Sequence, residues 1–247
     1  MKLIIFLWHC LLWLRQIIFV VYVAILTIIL SSVTVFLGLL RLPVNIRLIP
    51  AKLWSTLIHL GLIAFLWLRV KTDGRENLLN ESCVYVCKHQ SSWETVMFHG
   101  LLHNICFVLK EELLRVPLFG QGLKAVDSIP IDRKKSLKSF KKVLRMGKER
   151  LQSGLSIVIF PEGTRVPAGN YPKFYKTAIT LAKSTGAMII PIAHNSGKFW
   201  PHKAGLIKPG VITLSFGEAI SPNELGIDEL NKYCYQWIND KVKSLGG

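Results

Sequence analysis

Apolar positions fall into two regimes along the chain. The first 70 residues hold three long apolar stretches: Leu3 to Leu14, Gln16 to Leu40 and Leu53 to Leu68. The middle stretch carries no charge and is long enough to cross a hydrocarbon core of roughly 30 Å. It is too long for a signal-peptide core and lacks a small-residue cleavage site before its charged flank. The third, interrupted by His59, suits a re-entrant or interfacial helix better than a span. Beyond residue 70, short apolar runs alternate with helix-like segments. Strands are predicted at Cys83–Lys88, Ile105–Lys110, Ser128–Ile131, Ser156–Phe160, Met188–Ala193 and Val211–Phe216. Helices are predicted at Ser92–Leu102, Lys134–Leu151, Tyr175–Ser184 and Glu224–Lys243. Such alternation implies an α/β fold with a largely parallel sheet. Ligands of such folds sit at the carboxyl ends of strands. Three polar clusters stand there: His89 to Glu94, Asp132–Arg133, and Pro161 to Arg165.

Charge follows the same division. The chain has 247 residues, 31 Lys+Arg and 15 Asp+Glu, a formal net charge of +16, and is 51% hydrophobic. Enough apolar content to bury a core excludes disorder, and ordinary Gly and Pro usage excludes collagen-like sequence. Residues 1–70 contain Lys2, Arg15, Arg41, Arg47, Lys52 and Arg69 and no acidic residue. The expected organisation is a membrane-anchoring helical hairpin over residues 1–70 and an α/β domain over 71–247. Two full spans would strand Arg41, Arg47 and Lys52 on the far side of the membrane, against the positive-inside tendency. One span, or a hairpin dipping into one leaflet, keeps these charges and the domain over 71–247 on the cytoplasmic face, and the hairpin is preferred. The alternative is a buried pair of core helices.

Five cysteines (Cys10, Cys83, Cys87, Cys106 and Cys234) form no CxxC pair. Cys83 and Cys87 share one face of a predicted strand and read as small core hydrophobes. Neither a disulfide framework nor a zinc site is expected.

In Cys87-Lys88-His89-Gln90-Ser91-Ser92-Trp93-Glu94, a strand ends near Lys88 and a helix begins after Ser91. An imidazole is the natural base near neutral pH, and a carboxylate folding back across the turn fixes its tautomer. The same residues fit a capping box, in which Glu94 only caps a backbone N–H of Ser91. A metal pair lacks an evident third ligand. In Phe160-Pro161-Glu162-Gly163-Thr164-Arg165, Pro161 ends a strand, Gly163 permits positive φ, and Arg165 offers a planar fork suited to phosphate. An ordinary turn with an exposed Arg is the competing reading.

Taken together, these clusters resemble the PlsC-like 1-acylglycerol-3-phosphate acyltransferases over roughly residues 70–220. His89-x4-Glu94 is similar to the family's His-x4-Asp block. Lys110-Glu111-Glu112-Leu113 through Pro117-Leu118-Phe119-Gly120 to Ile131-Asp132-Arg133 is similar to the second block. Phe160 to Arg165 matches the third, and Ile190-Pro191-Ile192 resembles the fourth, followed by Asn195 to Pro201. The chain departs from the pattern at Glu94, where Asp is usual, at Lys88, where Asn is common, and after Lys176, where a Gly often stands.

The resemblance implies a glycerolipid acyltransferase fold, with a mixed or mostly parallel sheet flanked by helices behind the membrane-embedded segment. It implies acyl transfer from acyl-CoA or acyl carrier protein to the sn-2 hydroxyl of lysophosphatidate, giving phosphatidate. His89 would be the general base and Glu94 its orienting carboxylate. Arg133, Glu162, Gly163, Thr164, Arg165 and Lys176 would bind the acceptor. Neither metal nor resident cofactor is expected. Other acceptors (glycerol-3-phosphate, a lysophospholipid, a lyso-aminolipid) carry similar motifs.

Nine basic residues lie between Arg133 and Arg150. Leu137, Phe140, Leu144, Gly147 and Leu151 recur at helical spacing as a buried stripe. Lys134, Lys138, Lys141, Arg145 and Lys148 form a second stripe, either a solvated face or a contact for membrane phospholipids or an acidic carrier protein. Nucleic acid is not an expected partner, since no reading element accompanies the charge. A metal-assisted hydrolase built on His89 and Glu94 is the remaining competitor. The oligomeric state is not legible.

Overall fold

The computed structural model describes residues 2–203 and 205–247, with side chains from residue 6 onward. Helix α1 (Lys2–Leu39) turns through α2 (Val44–Arg47) into α3 (Ile49–Leu66). Then follow β1 (Leu68–Asp73), β2 (Val84–Cys87), α4 (Trp93–Leu101), β3 (Ile105–Lys110), α5 (Phe119–Ala125), β4 (Ile129–Ile131), α6 (Ser136–Gln152) and β5 (Ser156–Ile159). The chain ends with α7 (Thr177–Thr185), β6 (Ile189–His194), α8 (Ser196–Phe199), β7 (Gly210–Phe216) and α9 (Ile227–Ser244). The seven strands form one mixed sheet in the order β1-β7-β6-β2-β5-β3-β4. Every pairing is parallel except β6 with β7, so β7 and β1 run opposite to the other five.

Strands β2, β5 and β6 are buried along their whole length, which is why they stand out as continuous apolar runs. Alternate residues feed two cores. Val84, Val86, Ile157 and Ile159 face α6, α7 and α9. Cys83, Tyr85, Cys87 and Val158 face the other side, with Phe19 of α1, Ile58 and Leu62 of α3, and Trp93, Met97 and Phe98 of α4. Cys83 and Cys87 therefore share a face, as their spacing predicts, and all five cysteines are free thiols.

The N-terminal helices share this second core with the catalytic domain, and the expected boundary at residue 70 falls inside β1. Helix α1 also joins two stretches that the sequence separates at Arg15. The Arg15 side chain does not break the helix, because it donates to Phe65 O and Ala64 O at the end of α3 and lies over the Trp67 ring. Tyr22 Oη donates to Leu57 O and Trp54 Nε1 to Thr27 Oγ1, so α1 and α3 run antiparallel as a hairpin. Its outward face is apolar: Phe6, Leu14, Val21, Ile28 and Phe36 are all exposed. Both helices are long and apolar enough to cross a membrane. The tip of the hairpin nevertheless touches the catalytic domain, where Arg47 pairs with Asp127 at 3.0 Å and donates to Ala125 O.

Helix α6 corrects the expected stripe by a fraction of a turn. Ser139, Val143, Gly147 and Leu151 are buried, while Leu137 is 68% exposed. Ser139 is drawn inward because its hydroxyl donates to Asp132 O. Lys134, Lys138, Lys141, Arg145 and Lys148 are exposed as expected. At Gly147 the helix backbone meets α7: a Cβ there would sit 2.7 Å from Leu181 Cδ2. Gly147→Val is expected to lower stability by about 1–3 kcal/mol through overpacking, measured as a fall in melting temperature with kcat unchanged in the remaining folded enzyme.

Candidate active site

The carboxyl ends of β2, β4, β5 and β6 converge as the α/β pattern requires. β2 delivers Lys88-His89-Gln90, β4 delivers Asp132-Arg133, β5 delivers Phe160 to Arg165, and β6 delivers His194-Asn195-Ser196. Two backbone bonds tie the loops together: Val166 N–H donates to His89 O at 2.8 Å and Tyr175 N–H to Pro161 O at 2.8 Å. The His89 ring stacks on Phe160, centroids 3.9 Å apart and 16° from parallel.

A cavity of about 430 Å³ opens beside His89. Thr164, Arg165, Arg133 and Lys110 line it with His89 at the strand ends. The rest of its wall is largely apolar and comes from the hairpin, α4, β3 and α5: Leu30, Pro50, Trp54, Val96, Phe107, Leu109, Phe119 and Leu123 among others. Burial lowers the His89 pKa to about 4; the charge of Glu94 opposes this, while Arg165, His194 and Arg133 reinforce it. Burial also draws the Arg133 guanidinium below its ordinary value, with Glu112 opposing and Arg165 reinforcing. Both arginines thus act electrically on the imidazole and on the same space.

Glu94 is fully buried. It accepts from Gln90 N at 2.7 Å, Ser91 N at 3.0 Å, and the hydroxyls of Ser91 and Ser196 at 3.2 Å each, and lies 3.2 Å from His194 Nε2. It therefore makes the backbone bond of a capping box, with Ser91 Oγ accepting from Trp93 N at 2.9 Å. Glu94 makes no hydrogen bond to His89 here, and His89 Nδ1 is buried without a partner. The additional methylene of Glu relative to Asp is taken up in reaching back to the turn.

Three residues expected to bind acceptor stand off the cavity. Glu162 turns inward to a buried ion pair with Lys88, 3.3 Å long with both side chains fully buried. Its Oε1 also accepts from His89 N at 3.4 Å. Burial pushes the Glu162 pKa up to about 7 against the pull of Lys88. Lys88 donates further to Asn170 O at 2.9 Å and Asn239 Oδ1 at 3.3 Å, so it faces the interior and away from any acceptor phosphate. Gly163 is a turn residue at φ +69°, its N–H donating to Phe160 O. Lys176 sits at the start of α7, paired with Asp228 on the exterior. Its expected role is not supported by its position.

The sequence reading missed His194, Ser196 and Asn239. His194 and Ser196 follow Ile190-Pro191-Ile192 at a strand end, which was a usable signal; Asn239 lies in the amphipathic α9 with none. Among the described residues, no group of three or more His, Cys, Asp or Glu is placed to hold a metal.

This arrangement defines an α/β enzyme with a buried imidazole and two guanidiniums at the mouth of an apolar cavity. Residues 69–195, just over half of the chain, match the family model described as Acyltransferase. The chain belongs to the acyltransferase family. It is 38% identical over 197 residues to the 1-acyl-sn-glycerol-3-phosphate acyltransferase of Pseudomonas aeruginosa, covering 78% of this chain and 74% of that one. It is 30% identical over 154 residues to a chloroplastic 1-acyl-sn-glycerol-3-phosphate acyltransferase, LPAT1, of Arabidopsis thaliana, covering 61% of this chain and 42% of that one. The crystal structure of the 1-acyl-sn-glycerophosphate acyltransferase PlsC from Thermotoga maritima superimposes with a TM-score of 0.80 at 21% identity, over 95% of both chains. It shares the fold.

Proposed function

We propose that the chain transfers an acyl group from acyl-CoA or acyl carrier protein to the sn-2 hydroxyl of lysophosphatidate, giving phosphatidate. The observation that carries this reading is one cavity joining His89, Arg133 and Arg165 to a long apolar wall. The names of the Pseudomonas and chloroplast relatives agree with it. The arginines pair with the acceptor phosphate as bidentate donors. The apolar wall takes the acyl chain. His89 accepts the hydroxyl proton as that oxygen attacks the thioester carbonyl, and the departing thiolate takes the proton as the ester forms. The hydroxyl attacks directly, so the scheme needs no protein nucleophile, metal or resident cofactor. An acceptor panel with one labelled acyl donor tests it: lysophosphatidate is expected to be the best acceptor, and equal turnover of a phosphate-free monoacylglycerol would refute it.

Arg165→Ala is expected to raise the KM for lysophosphatidate by about 10-fold or more, as a charged hydrogen-bonding partner worth roughly 1.5–3 kcal/mol is lost. Initial rates across lysophosphatidate concentrations measure it; an unchanged KM would remove Arg165 from the phosphate site.

The same reading places the protein at a membrane. The hairpin tip at Arg47 and its base at Trp67 both lie against the catalytic domain. That favours insertion into one leaflet over two full spans, with the domain on the cytoplasmic face. The basic face of α6 then meets anionic headgroups, each cation adding about 1 kcal/mol. Changing Lys138, Lys141 and Lys148 together to Gln is expected to weaken binding to phosphatidylglycerol vesicles in low salt. That difference should shrink as salt rises, as read by vesicle flotation.

A further inference from the structure

If His89 is the general base, as proposed above, the Glu94 carboxylate must be held where His89 can use it. Glu94 lies in the first turn of α4, but part of its surroundings comes from His194 at the end of β6 and Ser196 at the start of α8, a hundred residues later. Its Oε1 accepts from Gln90 N, Ser91 N and Ser196 Oγ at 2.7–3.2 Å, and His194 Nε2 lies 3.2 Å from it. Its Oε2 receives only Ser91, through N–H and Oγ, both at 3.2 Å. A carboxylate oxygen offers about two lone-pair sites. Oε1 is therefore fully engaged. The Ser91 hydroxyl has one proton and can give it to Ser196 Oγ at 3.1 Å instead of Oε2, which leaves Oε2 the shared Ser91 N–H and one open site. His89 Nδ1 is buried and has no partner.

The His194 tautomer follows from its neighbours. Ser196 N–H points at His194 Nδ1, 3.4 Å away, so Nδ1 is the acceptor and Nε2 carries the proton. That N–H lies 2.8 Å from Lys88 O and 3.2 Å from Glu94 Oε1. One imidazole thus touches both the backbone residue preceding His89 and the carboxylate. Ser196 supplies its hydroxyl to the same oxygen and lies 3.1 Å from Ser91 Oγ, which itself faces Oε2.

We propose that Ser196, through its hydrogen bond to Glu94 Oε1, and His194, in contact with that oxygen and bonded to Lys88 O, are positioning residues that hold the carboxylate and so reserve Oε2 for His89 Nδ1–H. They touch neither substrate nor the reacting atoms. Substrate binding closes the Oε2 contact, which fixes the His89 tautomer with Nε2 as the free base. Catalytic hydrogen bonds that are open in the free enzyme commonly close this way.

The experiment uses the full-length protein in detergent micelles, with lysophosphatidate and acyl-CoA. Ser196→Ala and His194→Ala are expected to lower kcat by on the order of 10–100-fold, the effect of a small misplacement of a catalytic group, with the KM for lysophosphatidate unchanged. His194→Gln, whose amide N–H sits near the position of Nε2–H, is expected to recover most of kcat. In a Glu94→Gln background, His194→Ala should add less than about 2-fold, because both changes act through one carboxylate. Wild-type kcat in both alanine variants overturns the proposal, as does full multiplication of the His194 and Glu94 effects. Should His194→Ala not fold, Ser196→Ala and His194→Gln decide the matter alone. His89→Ala is run alongside: if it remains active, the general-base reading has failed and this proposal with it. If it is inactive while Ser196→Ala and His194→Ala turn over normally, only the proposal has failed.

Discussion

His89→Ala is expected to reduce kcat by about 10²–10⁴-fold, the usual worth of a positioned general base, while the protein still binds lysophosphatidate through Arg133 and Arg165. The pH profile carries more information than the loss itself. Burial, then the neighbouring positive charges, holds the His89 pKa at about 4 in the free enzyme. The neutral ring is the active form, so kcat/KM should stay flat down to acid pH and fall only as pH drops through about 4. Acceptor binding changes this. A phosphate seated between Arg133 and Arg165 offsets two of the charges that depress the imidazole, so its pKa rises in the complex. The acid limb of kcat should therefore lie at higher pH than that of kcat/KM. Glu94→Gln removes the one charge that raises the His89 pKa and should move both limbs to lower pH. Labelled acyl transfer measured from about pH 2.5 to 8 tests all three statements. Coincident limbs would mean that the phosphate does not bind beside His89.

Lys88→Met is expected to cost about 3–5 kcal/mol, since removing one partner of a buried ion pair strands the other. The stranded group is Glu162, whose carboxylate already titrates high through burial. Without Lys88 its folded pKa rises further above the unfolded value of about 4.3. Stability then holds at low pH and is lost as pH rises, because the folded state binds the extra proton. The variant should thus melt at progressively lower temperature from pH 5 to 8, more steeply than the parent. Lys88→Met with Glu162→Gln should recover most of the loss and flatten the dependence, as read by thermal melts in detergent. Activity should recover with it, since the amide oxygen left by Glu162→Gln can still accept the His89 backbone N–H.

Much of the fold was legible because the central strands are apolar on both faces and the long helices are periodic. β1 escaped notice for a physical reason. Leu68-Arg69-Val70-Lys71 directly continues an apolar helix, and it pairs on one side only, with β7. α5 was hidden by Gly120 and Gly122, poor helix formers; it is held instead by close packing on Ser31 of α1. At the site, residue identities were readable and partnerships were not. Glu162 looked like a ligand for substrate, yet it and Lys88 satisfy one another in the interior. Glu94 was assigned to His89 on spacing, but spacing cannot reveal donors arriving from β6.

The position of β1 bears on how the molecule is made. Its sole neighbour in the sheet is the last strand to be synthesised, and the core that covers α1 and α3 comes from segments synthesised after them. During translation the N-terminal helices emerge long before the surfaces that later shield their inner faces. On the membrane placement proposed above, lipid would shelter those faces in that interval, and bilayer insertion would precede closure of the sheet.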